Sequence, residues 1–458
     1  MTDRPDVLVI GGGTAALCAA IAARRVGARV SLLEQAPRGL RGGNTRHSRN
    51  LRIAHPEPTP FSLGSYPESE FLQDLLTATG GATDPALAAL LVRRSVESTD
   101  WLVANGVHLQ PTAGGLLPPS RKTVFLLGGG KALLNALYAT AARLGVEIRY
   151  ATGVGSLRLS GTRVEQIAIS GPDGTGFAEP RALVAACGGT QANRDWLRAN
   201  WGLAADGFVN RGTPHARGEV LLSMLEQGAA AVGDPGNAYL VAVDARSPAD
   251  DGGIATRVRC MPQGIVVDIE GRRFHDEGVD TASTRYAVWG RRLAACPRQL
   301  AYVILDARGL RQAPPALYPP LTAQTLAGLA VALAIEPARL VATVADYNAA
   351  VCPQGDSGAW YTAGLDPPKS RHALPLVEPP FAAFPMRPGI TFTYQGVAVD
   401  TCTRVCLTDG RCSENLFAAG VMMAPNIVGR GYVSGLSLTI GVVFGRIAGE
   451  EAARHALG

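Results

Sequence analysis

The chain has 458 residues, a hydrophobic share of 47% and a formal net charge of +5. That length exceeds what one ordinary core organises and predicts two domains, interleaved or in series. Lys and Arg are dispersed without a basic stripe, which argues against a nucleic-acid partner, and no apolar run reaches the length of a membrane span, the longest (Gly435 to Val443) being short and glycine-rich.

Asp6 to Ile10 predicts a strand that turns through Gly11-Gly12-Gly13-Thr14-Ala15-Ala16 into a helix, Ala15 to Val26. Gly27 ends that helix, and Val30 to Glu34 follows as a second strand ending in an acid. A strand turning through G-x-G-x-x-A offers helix N-terminal amides to a pyrophosphate, and the acid accepts from a ribose. Glycine-rich loops alone are weak signals, but strand, turn, helix, strand and acid arrive here in order. A bound dinucleotide is therefore expected, held by Gly11, Gly13, Thr14, Ala15, Ala16 and Glu34. Arg41-Gly42-Gly43-Asn44-Thr45 comes next, and Gly42, Gly43, Asn44 and Thr45 are expected at the same cofactor.

No room precedes the first strand for a signal peptide, so a cytoplasmic protein is expected. The eight cysteines are scattered, as reduced thiols would be. Cys402, Cys406 and Cys412 cluster in a turn-rich segment, but no flanking Cys or His completes a familiar ligand spacing, and no metal is expected.

Helical patterning runs from Glu68 to Asn105, and Gly128-Gly129-Gly130-Lys131 opens a helix from Ala132 to Leu144. That glycine run either holds an anion or lets the helix approach closely. Val146 to Tyr150 reads as a strand, and Val154 to Ser160 with Val164 to Ile169 as a hairpin. Ala182 to Ala186 is an apolar strand entering Cys187-Gly188-Gly189, which adds Gly188 and Gly189 to the cofactor candidates. From about Gly233 to Pro380 the periodicity is irregular and proline-rich, with helices at Thr322 to Ala334 and Glu336 to Val351. Asn415 to Gly420 is a late strand running into glycine, and a long helix begins near Ser437. Gly420, Gly435, Leu436 and Ser437 complete the cofactor set.

Glycine-rich strand ends at both extremes of the chain, with Gly42-Gly43-Asn44-Thr45 and Val443-Phe444-Gly445-Arg446-Ile447-Ala448-Gly449, resemble the succinate dehydrogenase/fumarate reductase flavoprotein superfamily. The resemblance implies an α/β fold: a Rossmann-like two-dinucleotide-fold FAD domain (1–235 and 381–458) with an inserted α+β capping domain (236–380). Within the superfamily, Arg41 to Arg52, Gly128 to Leu133, Arg387 to Tyr394 and Gly429-Arg430-Gly431-Tyr432 look like the FAD-dependent tricarballylate dehydrogenase group. That resemblance implies non-covalent FAD and a small polycarboxylate desaturated from a tricarballylate-like to a cis-aconitate-like form. A separate electron-acceptor protein is implied as well, which in that group is membrane-linked. The alternatives are a same-fold enzyme on another substrate (fumarate reductase-like, ketosteroid dehydrogenase-like or a natural-product desaturase) and a non-catalytic flavin electron relay.

Such a desaturation needs a hydride acceptor, a base and cations for the carboxylates, and arginine suits the last of these. By the resemblance, Arg285 moves the proton with Glu277 and Asp276 as an acidic relay; a surface ion pair is its other reading. Arg430 corresponds to a substrate-clamping arginine at an offset from the fumarate reductases, and Arg387 is a carboxylate ligand or a rim residue. The superfamily's substrate histidine is absent from Thr391-Phe392-Thr393-Tyr394, where Thr391 and Tyr394 hydroxyls either replace it or are simple strand residues. The position of a covalently linked histidine falls at Asn44. His47, a turn further on, is open between substrate contact, packing on the flavin and a covalent link. Ala418-Ala419-Gly420-Val421 lacks the acid usual after the late strand, which leaves a ribityl hydrogen bond to another group.

Overall fold

A computed structural model of the chain describes residues 4–115, 117–279, 285–354 and 359–458. Two compact units are present, one formed by Met1–Asn193, Gly212–Ala238 and Phe392–Gly458, the other by Arg194–Arg211 and Tyr239–Thr391. The expected α/β class holds.

The first unit is built on a six-stranded sheet in the order Arg404–Cys406, Cys412–Ala418, Ala182–Ala185, Val7–Ile10, Val30–Glu34, Glu147–Tyr150. Val7–Ile10 lies parallel to Val30–Glu34 on one side and to Ala182–Ala185 on the other. Every residue of these three strands is buried, so they read as continuous apolar runs without alternation. Connections leave the first strand in both directions. The crevice at its carboxyl end is therefore a topological switch point, where sheets of this kind bind ligands.

Helix Thr14–Val26 is buried from Thr14 through Ala23. A helix apolar all round must be covered on both faces, and its second cover is the C-terminal helix Leu436–Leu457. A Cβ on Gly445 would lie 2.5 Å from the Ala15 carbonyl oxygen, and one on Gly449 would lie 2.1 Å from that of Ala19. The two ends of the chain thus meet backbone against backbone. The stretch expected as helical from Glu68 to Asn105 is three helices, Glu68–Thr79, Pro85–Ser95 and Ser98–Ala104, and a third strand, Gly174–Ala178, joins the expected hairpin.

The second unit centres on a mixed sheet containing Val209–Asn210, Phe381–Val397, Ala301–Leu305 and Ile265–Asp268. Alternation divides its side chains between two cores. Val266, Val303, Leu305 and Phe384 pack with Trp289 and Leu293 of helix Arg285–Ala295. Ile265, Val267, Ile304 and Phe381 pack with Leu340, Val344 and Tyr347 of helix Pro337–Ala350. The long strand Phe381–Val397 was concealed in the sequence ahead of Thr391 by Pro385, Pro388 and Gly389; Pro385 stands opposite Tyr302 in the ladder. Residues 194–211 join this unit because Val209–Asn210 pairs in parallel with Gly389–Ile390. A two-residue strand has no sequence signal. Among the described residues no helix is long and apolar enough to cross a membrane.

Replacing Gly449 by alanine sets two effects against each other. Helix propensity favours alanine by about 1 kcal/mol, whereas overpacking against a backbone carbonyl costs about 1–3 kcal/mol or more. Gly449→Ala is expected to lower stability by about 1–2 kcal/mol, seen as a reduced urea midpoint at unchanged slope.

Candidate functional site

The glycine turn is shaped by what lies against it. Gly11 has a φ of 110°, and a Cβ there would come within 2.4 Å of the Ala186 carbonyl oxygen, so only glycine is accommodated. A Cβ on Gly12 would lie 2.1 Å from both Glu34 Oε2 and the Tyr138 hydroxyl. Gly13 caps helix Thr14–Val26 without a side-chain bond. The Thr14 amide donates to Thr45 Oγ1 at 3.1 Å. Ala15 and Ala16 belong to the first turn, whose amides have no acceptor within the helix.

Glu34 is 5% exposed. Its Oε1 accepts from the Ala36 amide and its Oε2 from the Gly42 amide, both at 2.9 Å. The Tyr138 hydroxyl donates to the Gly12 carbonyl at 3.0 Å, and burial beside Glu34 raises its pKa well above the usual phenol range. The carboxylate keeps lone pairs for further donors. Sequence reasoning missed Tyr138, having read its helix only through the glycine run that opens it. The Gly130 question is answered by packing too: its Cβ would lie 1.8 Å from the Thr45 carbonyl oxygen, so the glycine permits close approach of helix Gly129–Arg143. A pocket of about 190 Å³ beside it is lined by Arg41, Arg46 and Lys131 among others.

Asn44 Oδ1 accepts from the Thr213 amide at 2.9 Å, tying the turn Gly43–His47 to the segment beyond Gly212. His47 is half-buried at the end of that turn. Gly420 abuts Ala15, where a Cβ would come within 2.9 Å of the Ala15 Cβ. Gly435 is pressed on the Leu51–Arg52 backbone, 2.6 Å from the Arg52 nitrogen by the same construction, and caps the helix that Leu436 and Ser437 begin.

Gly189 of the second glycine pair is closely surrounded, mostly by polar side chains. A Cβ on Gly189 would lie 3.1 Å from Gln191 Oε1, 3.2 Å from Thr393 Oγ1 and 3.3 Å from Val421 Cγ1. Thr393 bonds to Thr190 through the two hydroxyls at 2.9 Å. Gln191 is 3% exposed, and its Oε1 is buried with no hydrogen-bond partner among the described residues. An orphaned acceptor is costly unless a donor reaches it. Sequence reasoning passed over Gln191; a polar residue just beyond a glycine pair at a strand end was the available signal.

Several expected catalytic groups have structural partners. Arg430 donates from Nε to the Thr79 carbonyl at 2.7 Å and from Nη2 to that of Gly80 at 3.2 Å, where it caps helix Glu68–Thr79. Tyr394 donates to the Gly431 carbonyl. Arg52 holds Asp74 at 2.9 Å and Ser434 O at 3.1 Å. In the second unit, Glu277 is fully buried and paired with Arg273 at 2.6 Å, and its Oε1 also accepts from the Val266 amide. Asp276 accepts from the Gly278 and Ser370 amides. Thr391 Oγ1 accepts from Arg211 Nη1 at 2.5 Å; Arg211, 5% exposed, escaped sequence reasoning because its burial follows from strand pairing alone. Arg387 donates to the Arg298 carbonyl, and burial together with Arg298 lowers its pKa. Arg285 opens helix Arg285–Ala295, but its side chain lies outside the described residues.

A strand-turn-helix at a switch point, an acid on the adjoining strand and a late glycine strand returning to the same turn define a dinucleotide-binding oxidoreductase fold. A family model described as FAD binding domain matches residues 6–435, and the chain belongs to that family. The fumarate reductase (cytochrome) of Shewanella frigidimarina is 28% identical over 475 residues, covering 99% of this chain and 78% of that protein. Among solved structures, the open conformation of a flavocytochrome c3 fumarate reductase matches with a TM-score of 0.79 at 24% identity, over 100% of this chain and 79% of that one. A 3-ketosteroid delta1-dehydrogenase from Sterolibacterium denitrificans matches with a TM-score of 0.77 at 18% identity, over 99% of this chain and 100% of that one. The last two show the fold. The protein is an FAD-dependent oxidoreductase of the fumarate reductase superfamily acting on CH–CH groups. None of these relatives is a tricarballylate dehydrogenase.

The residues present fit FAD. Gly11 leaves its turn free of side chain, Glu34 retains acceptor capacity, and Gln191 presents an unmatched acceptor beside Val421, where an acid was expected. Gln191→Leu is expected to raise the FAD dissociation constant about 3–10-fold, the worth of one hydrogen bond. Flavin fluorescence released on dilution measures it, and Gln191→Glu should retain the affinity.

The Glu277 cluster also makes stability depend on pH. Lys369 Nζ, buried beside Glu277 and Arg273, donates to the Pro262 carbonyl at 2.9 Å and to that of Gly264 at 2.5 Å. Burial lowers its pKa from 10.5 to about 8. Between those values the unfolded chain binds more protons than the folded one, so stability rises with pH across that window and is flat below it. In Lys369→Met, urea midpoints should lose that component of the rise; an unchanged slope would show that Lys369 is not its source.

Proposed function

We propose that the chain moves hydrogen across a carbon–carbon bond of a small polycarboxylate, as its relatives named fumarate reductase do with fumarate. The observation that carries this reading is the match along 99% of the chain to one such enzyme, second unit included. Bound FAD supplies the exchange of hydride with the substrate carbon. Arg285 carries the proton to or from the neighbouring carbon, its strong basicity keeping it charged until a substrate carbanion or acid is beside it. Arg211, held by Thr391 and the Gly253 carbonyl, presents a planar guanidinium of the kind that binds a carboxylate. Arg430 and Tyr394 act through position: their bonds to Thr79, Gly80 and Gly431 hold the loop 429–432 in place. His47 is a substrate contact at the end of the turn Gly43–His47.

The FAD is held non-covalently. Asn44 stands where a linking histidine would fall, and its amide oxygen is engaged with Thr213. A tricarboxylate is the second reading of the substrate, favoured by Thr391-Phe392-Thr393-Tyr394, which carries hydroxyls in place of histidine. A separate protein partner delivers or removes the electrons.

Anaerobic titration of the holoenzyme separates these readings. Succinate or tricarballylate alone is expected to bleach the flavin band and, once an artificial acceptor is added, to reduce that acceptor, or fumarate to reoxidise the reduced enzyme. No absorbance change with any dicarboxylate or tricarboxylate would overturn the proposal, and bleaching by a 3-ketosteroid would replace it. In the same assay Arg285→Gln should lose on the order of 10²–10⁴-fold in turnover with FAD still bound.

A further inference from the structure

The cysteines that the flavin site does not use are not scattered in space. Cys406 and Cys412 lie opposite each other on the paired strands Arg404–Cys406 and Cys412–Ala418, with their sulfurs 3.5 Å apart. Between them the hairpin is closed by the Leu407 amide donating to the Arg411 carbonyl at 2.8 Å and by Gly410 donating back to Leu407 at 3.0 Å. Cys406 turns its own backbone groups away from Cys412: its amide donates to Ala398 at 2.9 Å and its carbonyl accepts from Ala230 at 2.8 Å. The two cysteines therefore form a non-hydrogen-bonded cross-strand pair, the arrangement that brings opposed residues closest, with Cα atoms about 4.5 Å apart. That separation lies within the span a disulfide bridges, and the sulfurs need to close to about 2.05 Å, which side-chain rotation accomplishes.

We propose that Cys406 and Cys412 form a redox-reactive dithiol that is converted reversibly to an intra-hairpin disulfide by small disulfides such as oxidised glutathione. Both side chains are partly accessible, unlike Cys18, Cys260 and Cys296, which are buried. The hairpin ends the strand order of the flavin sheet, and short bridges from Ala229 to Leu407 and from Val399 to Val405 lie along its outer side. Burial, followed by the hydrogen bond with Cys412, pushes the Cys406 thiol up to about 12. The thiolate of one cysteine attacks one sulfur of the small disulfide, whose S–S bond breaks to release one small thiol. The other cysteine then attacks the protein sulfur of the mixed disulfide, gives its proton to solvent and expels the second small thiol. The protein dithiol loses two electrons and the small disulfide gains them. The bond closes only the loop Leu407–Arg411, and it fixes the register of the strand that runs on to Gly420.

The test uses the full-length holoenzyme incubated with oxidised glutathione, then alkylated and mapped by mass spectrometry. The expected product has lost the mass of two hydrogens, carries one cross-link between the peptides of Cys406 and Cys412, and reverts with dithiothreitol. Cys406→Ser and Cys412→Ser should each abolish the cross-link and trap a glutathione adduct on the remaining cysteine. Free thiols at both positions after prolonged exposure, a link to Cys402, or separate glutathione adducts on the two cysteines would each overturn the proposal.

Discussion

The first unit depends on the absence of side chains where helix Thr14–Val26 meets helix Leu436–Leu457. Gly445 and Gly449 let the later helix rest on the carbonyls of Ala15 and Ala19. Gly420 does the same for the end of the late strand against Ala15. Because these contacts are made between backbones, they cannot slide without losing van der Waals contact along the whole seam. They hold the amino end of the first helix, and with it the Gly11 turn pressed on Ala186, at the mouth of the switch-point crevice. Residues separated by more than four hundred positions are thereby fixed around one helix terminus, where partial positive charge and unsatisfied amides favour a pyrophosphate.

Charge in this chain is used mostly for architecture. Arg52 is engaged with Asp74 and Ser434, Arg273 with Glu277, and Arg430 with the carbonyls at the end of helix Glu68–Thr79. Removing one partner of a buried pair such as Arg273–Glu277 leaves an uncompensated charge and costs about 3–5 kcal/mol, far above the 0–1 kcal/mol typical of exposed pairs. The abundance of arginine therefore says little about catalysis by itself. What distinguishes Arg211 is a buried guanidinium whose bonds include the Thr391 hydroxyl and the Gly253 carbonyl.

The site's acceptors follow a similar economy. Val421 stands where an acid was expected, and the orphaned oxygen of Gln191, on a different strand end, adjoins the same glycine, Gly189. A hydrogen-bonding function can move between segments as long as the acceptor stays in the same small volume. Motif comparison reads position along the chain, so such an exchange registers only as a loss.

From the sequence alone came the α/β class, the dinucleotide turn, the acid on the second strand and the participation of both chain ends. Each is encoded locally, in glycines where no Cβ fits and in apolar runs long enough for buried strands. The long strand Phe381–Val397 was legible only at Thr391 to Tyr394, because Pro385 and Pro388 signal a turn whenever the neighbouring strands are unseen. The same holds for Val209–Asn210, Arg211, Gln191 and the Cys406–Cys412 pair. Their roles arise from partners distant in sequence, and pairing of that kind is decided by burial and register, which exist only once the chain has folded.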